Sequence, residues 1–367
     1  MIDNAPYDPL NTFIVTGSKT NADITLTLHI PYSEDWIVWQ ATYQSSSTFS
    51  ATNLLSLSGG GMGTFEVLNG TLITANANTI HGAYMDIIVS GTGKVQTFGD
   101  GVHAIITNGN VEIKDNAQVS GTTGEVIRSE GNNAIITVSG GSVTATSENA
   151  ILVHGTRAHI IVTGGYVGNN AVGFYPVIYV KENESFISVS GTSKVEARGE
   201  VPAIEIDKNT SMEVSGNAHV IAFKNRAIAC SNGGRVIVSE NSIVETKEND
   251  PAIYMRGYGE IVITDRAQVI AAHGYAVVGT PNYPALLNLT GGLAFAYGNK
   301  KADVLYNLNS IAPTDSGVVL AWNKAEGNTI YELYSSDDIF KLPETATAYW
   351  DKKEAKSGIS YANGENT

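Results

Sequence analysis

The sequence predicts an all-β fold: a right-handed parallel β-helix, or solenoid, with about 25 residues and three short strands in each coil. A phrase of three short segments recurs along most of the 367 residues at that period. Within each segment apolar residues alternate with polar ones, as in strands that bury one face. No stretch shows helical periodicity with caps, so strands and turns must join successive coils.

The clearest copy of the phrase lies between residues 187 and 206. Its three segments are Ile187–Gly191, Lys194–Ala197 and Ala203–Ile206. Gly, Asn, Ser and Asp stand between the segments, where a turn needs a positive φ or a side-chain hydrogen bond. Each segment is therefore predicted to be one strand of a coil.

Each predicted strand carries an inward apolar ladder, and three stacked ladders predict one continuous core. The first ladder is Val89, Ile113, Val138, Val162, Val189, Val214, Val238, Ile263 and Leu289. The second is Val95, Val119, Val143, Val167, Val195, Val220, Val244 and Val269. The third is Ile105, Ile127, Ile151, Ile178, Ile204, Ile228, Ile253 and Val277.

Composition fits a turn-rich β protein and narrows the classes of partner. There are 38 glycines, 10 prolines and 16% charged residues, with a formal net charge of −14. Clustered Lys and Arg are absent, so we expect no nucleic acid partner and no binding to an anionic membrane surface. No apolar run is long enough for membrane insertion. Cys230 is the one cysteine, which excludes a disulfide framework and predicts a buried thiol.

The strength of the repeat predicts three regions. Residues 1–60 keep strand character without fitting the repeat well, which suggests an N-terminal cap over the open end of the solenoid. Residues 61–298 are the regular coils. Residues 299–367 form irregular C-terminal coils, including strands around Val319 and Thr329, and we expect a longer protein to continue into flanking modules.

With this pattern the chain resembles the right-handed parallel β-helix proteins, the pectin-lyase-like superfamily. Trp36–Ala41, Leu57–Gly61 and Thr64–Val67, with Tyr349–Asp351 and Gly358–Gly364, also resemble the ends of repeat-bearing bacterial cell-surface proteins. The superfamily includes lyases, hydrolases and adhesins, so the resemblance implies fold more than function. Residues 1–4 lack the basic start and apolar centre of a signal peptide, so the chain is either cytoplasmic or its signal was removed. Long, charge-poor β-solenoids rich in Ser, Thr, Asn and Gly are mostly exported, which favours an extracellular or surface location.

Chemical motifs are scarce. The sequence lacks a phosphate-binding loop, a dinucleotide fingerprint and zinc motifs, so we expect no cofactor and no metal centre. Calcium is an alternative, because pectate lyases of this fold hold it with carboxylates on neighbouring coils. Asp100, Glu148, Glu200 and Asp250 stand at comparable turns, but alternate coils lie about 10 Å apart, which favours a solvated acidic edge.

The outward face of the third strand carries the most informative polar residues. Parity places Arg128, Tyr179, Glu205 and Tyr254 in one row. A second row, two residues further on, holds His154, Lys181, Asp207 and Arg256. Because coils stack at about 4.8 Å, close to the rise of an extended sugar chain, these rows could bind a glycan. A solvated ladder of salt bridges explains the same pattern more simply.

A catalytic role for this face is the alternative. Glu205 and Asp207 are about 6.5 Å apart at Cα, within reach of the spacing of an inverting glycosidase pair. A lyase would instead use Lys181 or Arg256 as its base. The turns are short, whereas β-helix enzymes usually build their sites from long loops.

The sequence therefore favours a noncatalytic extracellular β-solenoid module of a bacterial surface protein. Its role would be structural or adhesive, with a glycan or another cell-surface ligand on the third-strand face and association end to end or through flanking domains. A polysaccharide lyase or glycoside hydrolase acting on an extended polysaccharide at that face remains the alternative.

Overall fold

The computed structural model confirms the predicted class: an all-β parallel β-solenoid of the right-handed type, with three parallel sheets and about 25 residues per turn. The described residues, which contain no helix, are 11–59, 63–169, 175–207, 209–280, 286–290, 292–296, 304–305, 319–324 and 328–333. The chain divides into two compact units, Met1–Phe186 and Ile187–Thr367.

The first unit repeats a set of three strands, and each strand pairs in parallel with the strand three places later. Its strands are β1 (Thr12–Val15), β2 (Ser18–Ala22), β3 (Leu26–His29), β4 (Trp36–Trp39), β5 (Thr42–Ser45), β6 (Asn53–Ser58), β7 (Thr64–Leu68), β8 (Thr71–Thr74), β9 (Asn78–Gly82), β10 (Asp86–Ser90), β11 (Lys94–Asp100), β12 (Ile105–Thr107), β13 (Val111–Ile113), β14 (Gln118–Thr123), β15 (Ile127–Ser129), β16 (Ile135–Val138), β17 (Ser142–Ala145), β18 (Ile151–Val153), β19 (His159–Val162), β20 (Tyr166–Asn169) and β21 (Ile178–Val180).

The second unit, whose first strand begins at the boundary residue, follows the same rule up to β36. Its strands are β22 (Phe186–Val189), β23 (Lys194–Ala197), β24 (Ile204–Ile206), β25 (Ser211–Val214), β26 (His219–Ala222), β27 (Ile228–Cys230), β28 (Gly234–Val238), β29 (Ile243–Thr246), β30 (Ile253–Met255), β31 (Gly259–Thr264), β32 (Gln268–Ala271), β33 (Val277–Gly279), β34 (Leu286–Thr290), β35 (Leu293–Ala296), β36 (Val304–Leu305), β37 (Val319–Lys324) and β38 (Asn328–Leu333).

The three predicted ladders form the core of each unit. Every ladder residue is at most 1% exposed, and the register stacks like on like, with Val143 beside Val167 and Val214 beside Val238. Small residues such as Ala145 and Ala197 are also buried two places after the valines of the second strand. Stacked β-branched side chains fill the narrow space between three parallel sheets, which is why the repeat uses so few aromatic residues.

The turn after the first strand takes a left-handed backbone. In the first unit Gly91 and Asp115 both have φ 59°, and the Gly91 amide donates to Asp115 Oδ2 at 2.9 Å. In the second unit the Gly216 amide donates to Glu240 Oε2 at 2.7 Å. The carboxylate of one turn therefore satisfies the amide of the turn before it.

The first strands belong to the regular pairing. β1, β2 and β3 pair in parallel with β4, β5 and β6, although these coils break the sequence repeat. A capping role for residues 1–60 stays a prediction, since strand pairing does not test it.

The C-terminal region was predicted to form irregular coils. That prediction stays open; the described strands β37 and β38 of the region pair antiparallel with each other. The segment around Tyr349 lies outside the described residues. In the part of the chain that the structure describes, no helix has the length and apolar character needed to cross a membrane.

Candidate functional site

The third sheet of the first unit presents two outward rows, as strand parity predicts. Arg128 pairs in register with Leu152, and Leu152 with Tyr179. The residues after each strand, including His154 and Lys181, stack through amides that donate to the preceding coil. Arg128 and Tyr179 are partly exposed, whereas Leu152 between them is 1% exposed. Buried Leu152 therefore interrupts the exposed part of this row at its middle coil.

Charged groups in these two rows interact along their own strands. Arg128 Nη2 lies 2.8 Å from Glu130 Oε1, and the Lys181 Nζ lies 5.4 Å from the centre of the Tyr179 ring. Burial lowers the pKa of His154, and the positive charges of Lys181 and Arg128 lower it further. The patch thus combines an aromatic face, a cation and an imidazole whose neutral form is favoured.

The second unit carries an equivalent patch. Glu205, Ala229 and Tyr254 pair in register on three coils, and Ala229 is 4% exposed. The Arg226 guanidinium carbon lies 4.2 Å from the centre of the Tyr254 ring. Arg256 follows Tyr254 on the same face and is exposed. The small, buried Ala229 side chain therefore lies between the Glu205 carboxylate and the Tyr254 ring.

Both carboxylates of the suspected catalytic pair hold hydrogen bonds from the next coil. Ser231 Oγ donates to Glu205 Oε1 at 3.0 Å, and the side-chain amide of Asn232 donates to Asp207. Burial raises the pKa of Glu205, which stands two residues from Asp207 on the same face. These bonds match a ladder of polar side chains, and the raised pKa suits a general acid.

The eight candidate residues therefore fall into two patches. Arg128, His154, Tyr179 and Lys181 lie in the first unit, and Glu205, Asp207, Tyr254 and Arg256 in the second. Arg256 is exposed, and the other seven are partly exposed. Whether either patch binds a ligand stays a prediction.

One cluster escaped the sequence reasoning. In the first unit His103 Nδ1 lies 2.9 Å from Glu125 Oε2, and this hydrogen bond lowers the pKa of Glu125 to about 2. Burial, with the negative charge of Glu125, raises the pKa of Glu148 to about 7. Glu148 was predicted to be part of a solvated acidic edge, and this neighbour makes it a chemically distinct carboxyl group.

Metal binding finds no support in the described residues, where no group of three or more His, Cys, Asp or Glu side chains is placed to hold an ion. Cys230 is buried as predicted, and burial raises the pKa of its thiol. Such a thiol is a core residue and a poor nucleophile.

The fold and these two patches define the chain as a parallel β-solenoid with mixed polar and aromatic rows on an outer sheet face. No family model, no curated protein and no solved structure matches it.

Proposed function

We propose that the chain is a noncatalytic β-solenoid module of an extracellular bacterial surface protein, structural or adhesive, that binds an extended glycan on the outer face of its third sheet. The extracellular and bacterial parts rest on the resemblance of its repeat and ends to surface proteins of the pectin-lyase-like type. The binding part rests on the two patches.

The observation that carries the proposal is the order of groups in the second unit. Glu205, Ala229 and Tyr254 occupy successive coils, so a carboxylate, a small buried side chain and an aromatic ring follow one another at the coil spacing of about 4.8 Å. A sugar ring seated over Ala229 can stack on Tyr254 and donate a hydroxyl to Glu205. Exposed Arg256 adds a donor beside the same ring.

The first unit supports the same function with a different order. Arg128 stands where the second unit has its carboxylate, Leu152 is the buried residue between the two groups, and Tyr179 supplies the aromatic ring. Lys181 over that ring provides a donor for hydroxyl or carboxylate oxygens. Two patches of related design on one chain favour adhesion, since a surface that carries many glycans can engage each patch separately.

A glycan array followed by titration of the best ligand tests this proposal. Tyr254→Ala and Tyr179→Ala should each weaken binding by about 1 kcal/mol, roughly fivefold, because each removes one stacking face. Tyr32→Ala, which removes an exposed tyrosine outside both patches, is the matched control. Absence of any ligand on a broad array, or equal losses in the control, would return the patches to a solvated ladder.

The alternative is a polysaccharide lyase or glycoside hydrolase, and the raised pKa of Glu205 beside Asp207 is the observation that favours it. Release of reducing sugar or unsaturated uronate from polysaccharides separates the two functions. Under the proposal neither product forms. Turnover that disappears in Glu205→Gln while binding persists would establish the enzyme instead.

A further inference from the structure

A separate groove opens in the first unit, where the third strand of a coil turns into the first strand of the next. Its volume is about 460 Å³, within the range of small-ligand sites. The groove is lined by Asn133, Ile135, Arg157, His159 and Glu184. None of these residues belongs to the third-sheet rows.

The lining forms two parallel rows that cross the coils. The turn row is Asn133, Arg157 and Glu184; the Asn133 amide donates to the coil of Arg157, and the Arg157 amide to the coil of Glu184. Two residues after each lies the strand row of Ile135, His159 and Phe186. Both rows therefore advance by one coil, about 4.8 Å, at each step.

The strand row is an apolar and aromatic platform. Ile135 pairs in register with His159 and is 40% exposed, which is unusual for a large aliphatic side chain in this chain. The rings of His159 and Phe186 meet edge to face, with centres 6.1 Å apart. Such a surface suits the C–H faces of sugar rings, which pack on apolar and aromatic groups.

The turn row supplies hydrogen-bonding groups of both kinds. Arg157 and Glu184 are exposed, carry opposite charges and stand on adjacent coils. Within the described residues no salt bridge joins them. The guanidinium therefore offers donors and the carboxylate offers acceptors toward the groove, and the carboxamide of Asn133 offers both.

The three residues of the turn row share a left-handed backbone. Asn133, Arg157 and Glu184 have φ of 58°, 56° and 60°. Asparagine adopts this conformation readily, whereas arginine and glutamate adopt it at a cost. Tyr84, outside the groove, has φ 62°, so the backbone places these side chains without indicating a ligand.

We propose that this groove binds a linear, uncharged oligosaccharide, with one sugar unit over each coil. Sugar hydroxyls both donate and accept hydrogen bonds, which matches a row that alternates donor and acceptor groups. Arg157 and Glu184 together carry no net charge, so the turn row favours neither an anionic nor a cationic sugar. The groove is a second ligand site and does not depend on binding at the third-sheet face.

Calorimetric titration of the full chain with neutral tetrasaccharides, namely cellotetraose, chitotetraose and mannotetraose, tests the groove, with tetragalacturonate as the anionic comparison. At least one neutral probe should bind. Arg157→Asn and Glu184→Gln should each weaken that binding about tenfold, because each removes a charged hydrogen-bonding group. Asparagine suits the left-handed turn, so Arg157→Asn should fold as well as the parent protein.

Two controls separate this site from the third-sheet face. Lys224→Ala removes an exposed cation elsewhere and should leave the affinity unchanged. Tyr32→Ala, at an exposed tyrosine outside the groove and the third-sheet rows, should also leave it unchanged. Binding that is lost in Tyr254→Ala and kept in Arg157→Asn would overturn the groove and uphold the third-sheet site. Failure of every neutral probe, or binding of tetragalacturonate alone, would overturn the groove as well.

Discussion

Replacing Glu148 with glutamine should stabilise the protein at pH 8 and change its stability little at pH 4.5. Burial and the charge of Glu125 raise the pKa of Glu148 from 4.5 to about 7 in the folded protein. A carboxyl group whose pKa is higher in the folded protein contributes its full stabilisation at pH values below its pKa in the unfolded chain, because both states then hold the proton. That contribution is lost as pH rises through about 7, because the folded state must then hold a charge it disfavours.

The size of this effect follows from the two pKa values. A rise from 4.5 to about 7 corresponds to about 3.4 kcal/mol for a group fully shielded from water. Glu148 is partly exposed, so solvent screening reduces the expected gain of Glu148→Gln at pH 8 to about 1 kcal/mol. His103 and Glu125 also interact with this group, so the variant is compared with the parent protein at each pH.

Urea denaturation of both proteins at pH 4.5 and pH 8 measures the difference, and carbon NMR of the side-chain carboxyl follows its titration directly. Glu200→Gln, which removes an exposed glutamate at the comparable turn of the second unit, is the matched control. A stability difference that is the same at both pH values, or a Glu148 carboxyl that titrates near 4.5, would refute the reasoning.

Two further predictions concern the fold. Val214→Asp should lower the free energy of unfolding by about 4 kcal/mol, since it places an unpaired charge in a fully buried ladder. The outward-facing control Glu213→Ala should change the free energy of unfolding by under about 0.5 kcal/mol. Similar urea midpoints for the two variants would contradict the register. Tyr84→Asn should raise the free energy of unfolding by about 1 kcal/mol, because Tyr84 is exposed and has a left-handed backbone, φ 62°, which asparagine adopts more readily. An equal gain from Tyr32→Asn, at an exposed tyrosine whose backbone is not left-handed, would argue against relief of strain.

The regular coils were predictable because their signal is repeated. A single valine such as Val195 does not show whether it lies in a strand or points inward. Eight valines at the same position of the repeat indicate the strand, its inward face and the register between coils together. The first coils hid this signal. There β4 is apolar on both faces, with Ile37, Val38 and Trp39 all buried, so it lacks the alternation of apolar and polar residues that marks the regular coils.

The candidate sites were less predictable because they depend on turn length and on neighbouring side chains. His103 and Glu125 stand two residues before Ile105 and Ile127 of the third ladder, so the repeat places them on adjacent coils, but it does not show that their side chains meet. Parity gave the direction of Glu205 correctly, but its burial depends on the packing of its neighbours across coils. The antiparallel pairing of β37 with β38 likewise departs from the parallel repeat.

The stacked register of the second unit also constrains how a gene for such a chain can change in length. Ser211 pairs with Arg235, and Val238 with Ile263, so each strand finds an equivalent surface one full coil further on. Duplication or loss of a DNA segment that encodes one whole coil keeps every inward residue inward. A change of one codon within a strand reverses the faces of the residues that follow in that strand. Inherited length differences should therefore accumulate as whole coils or within the turns.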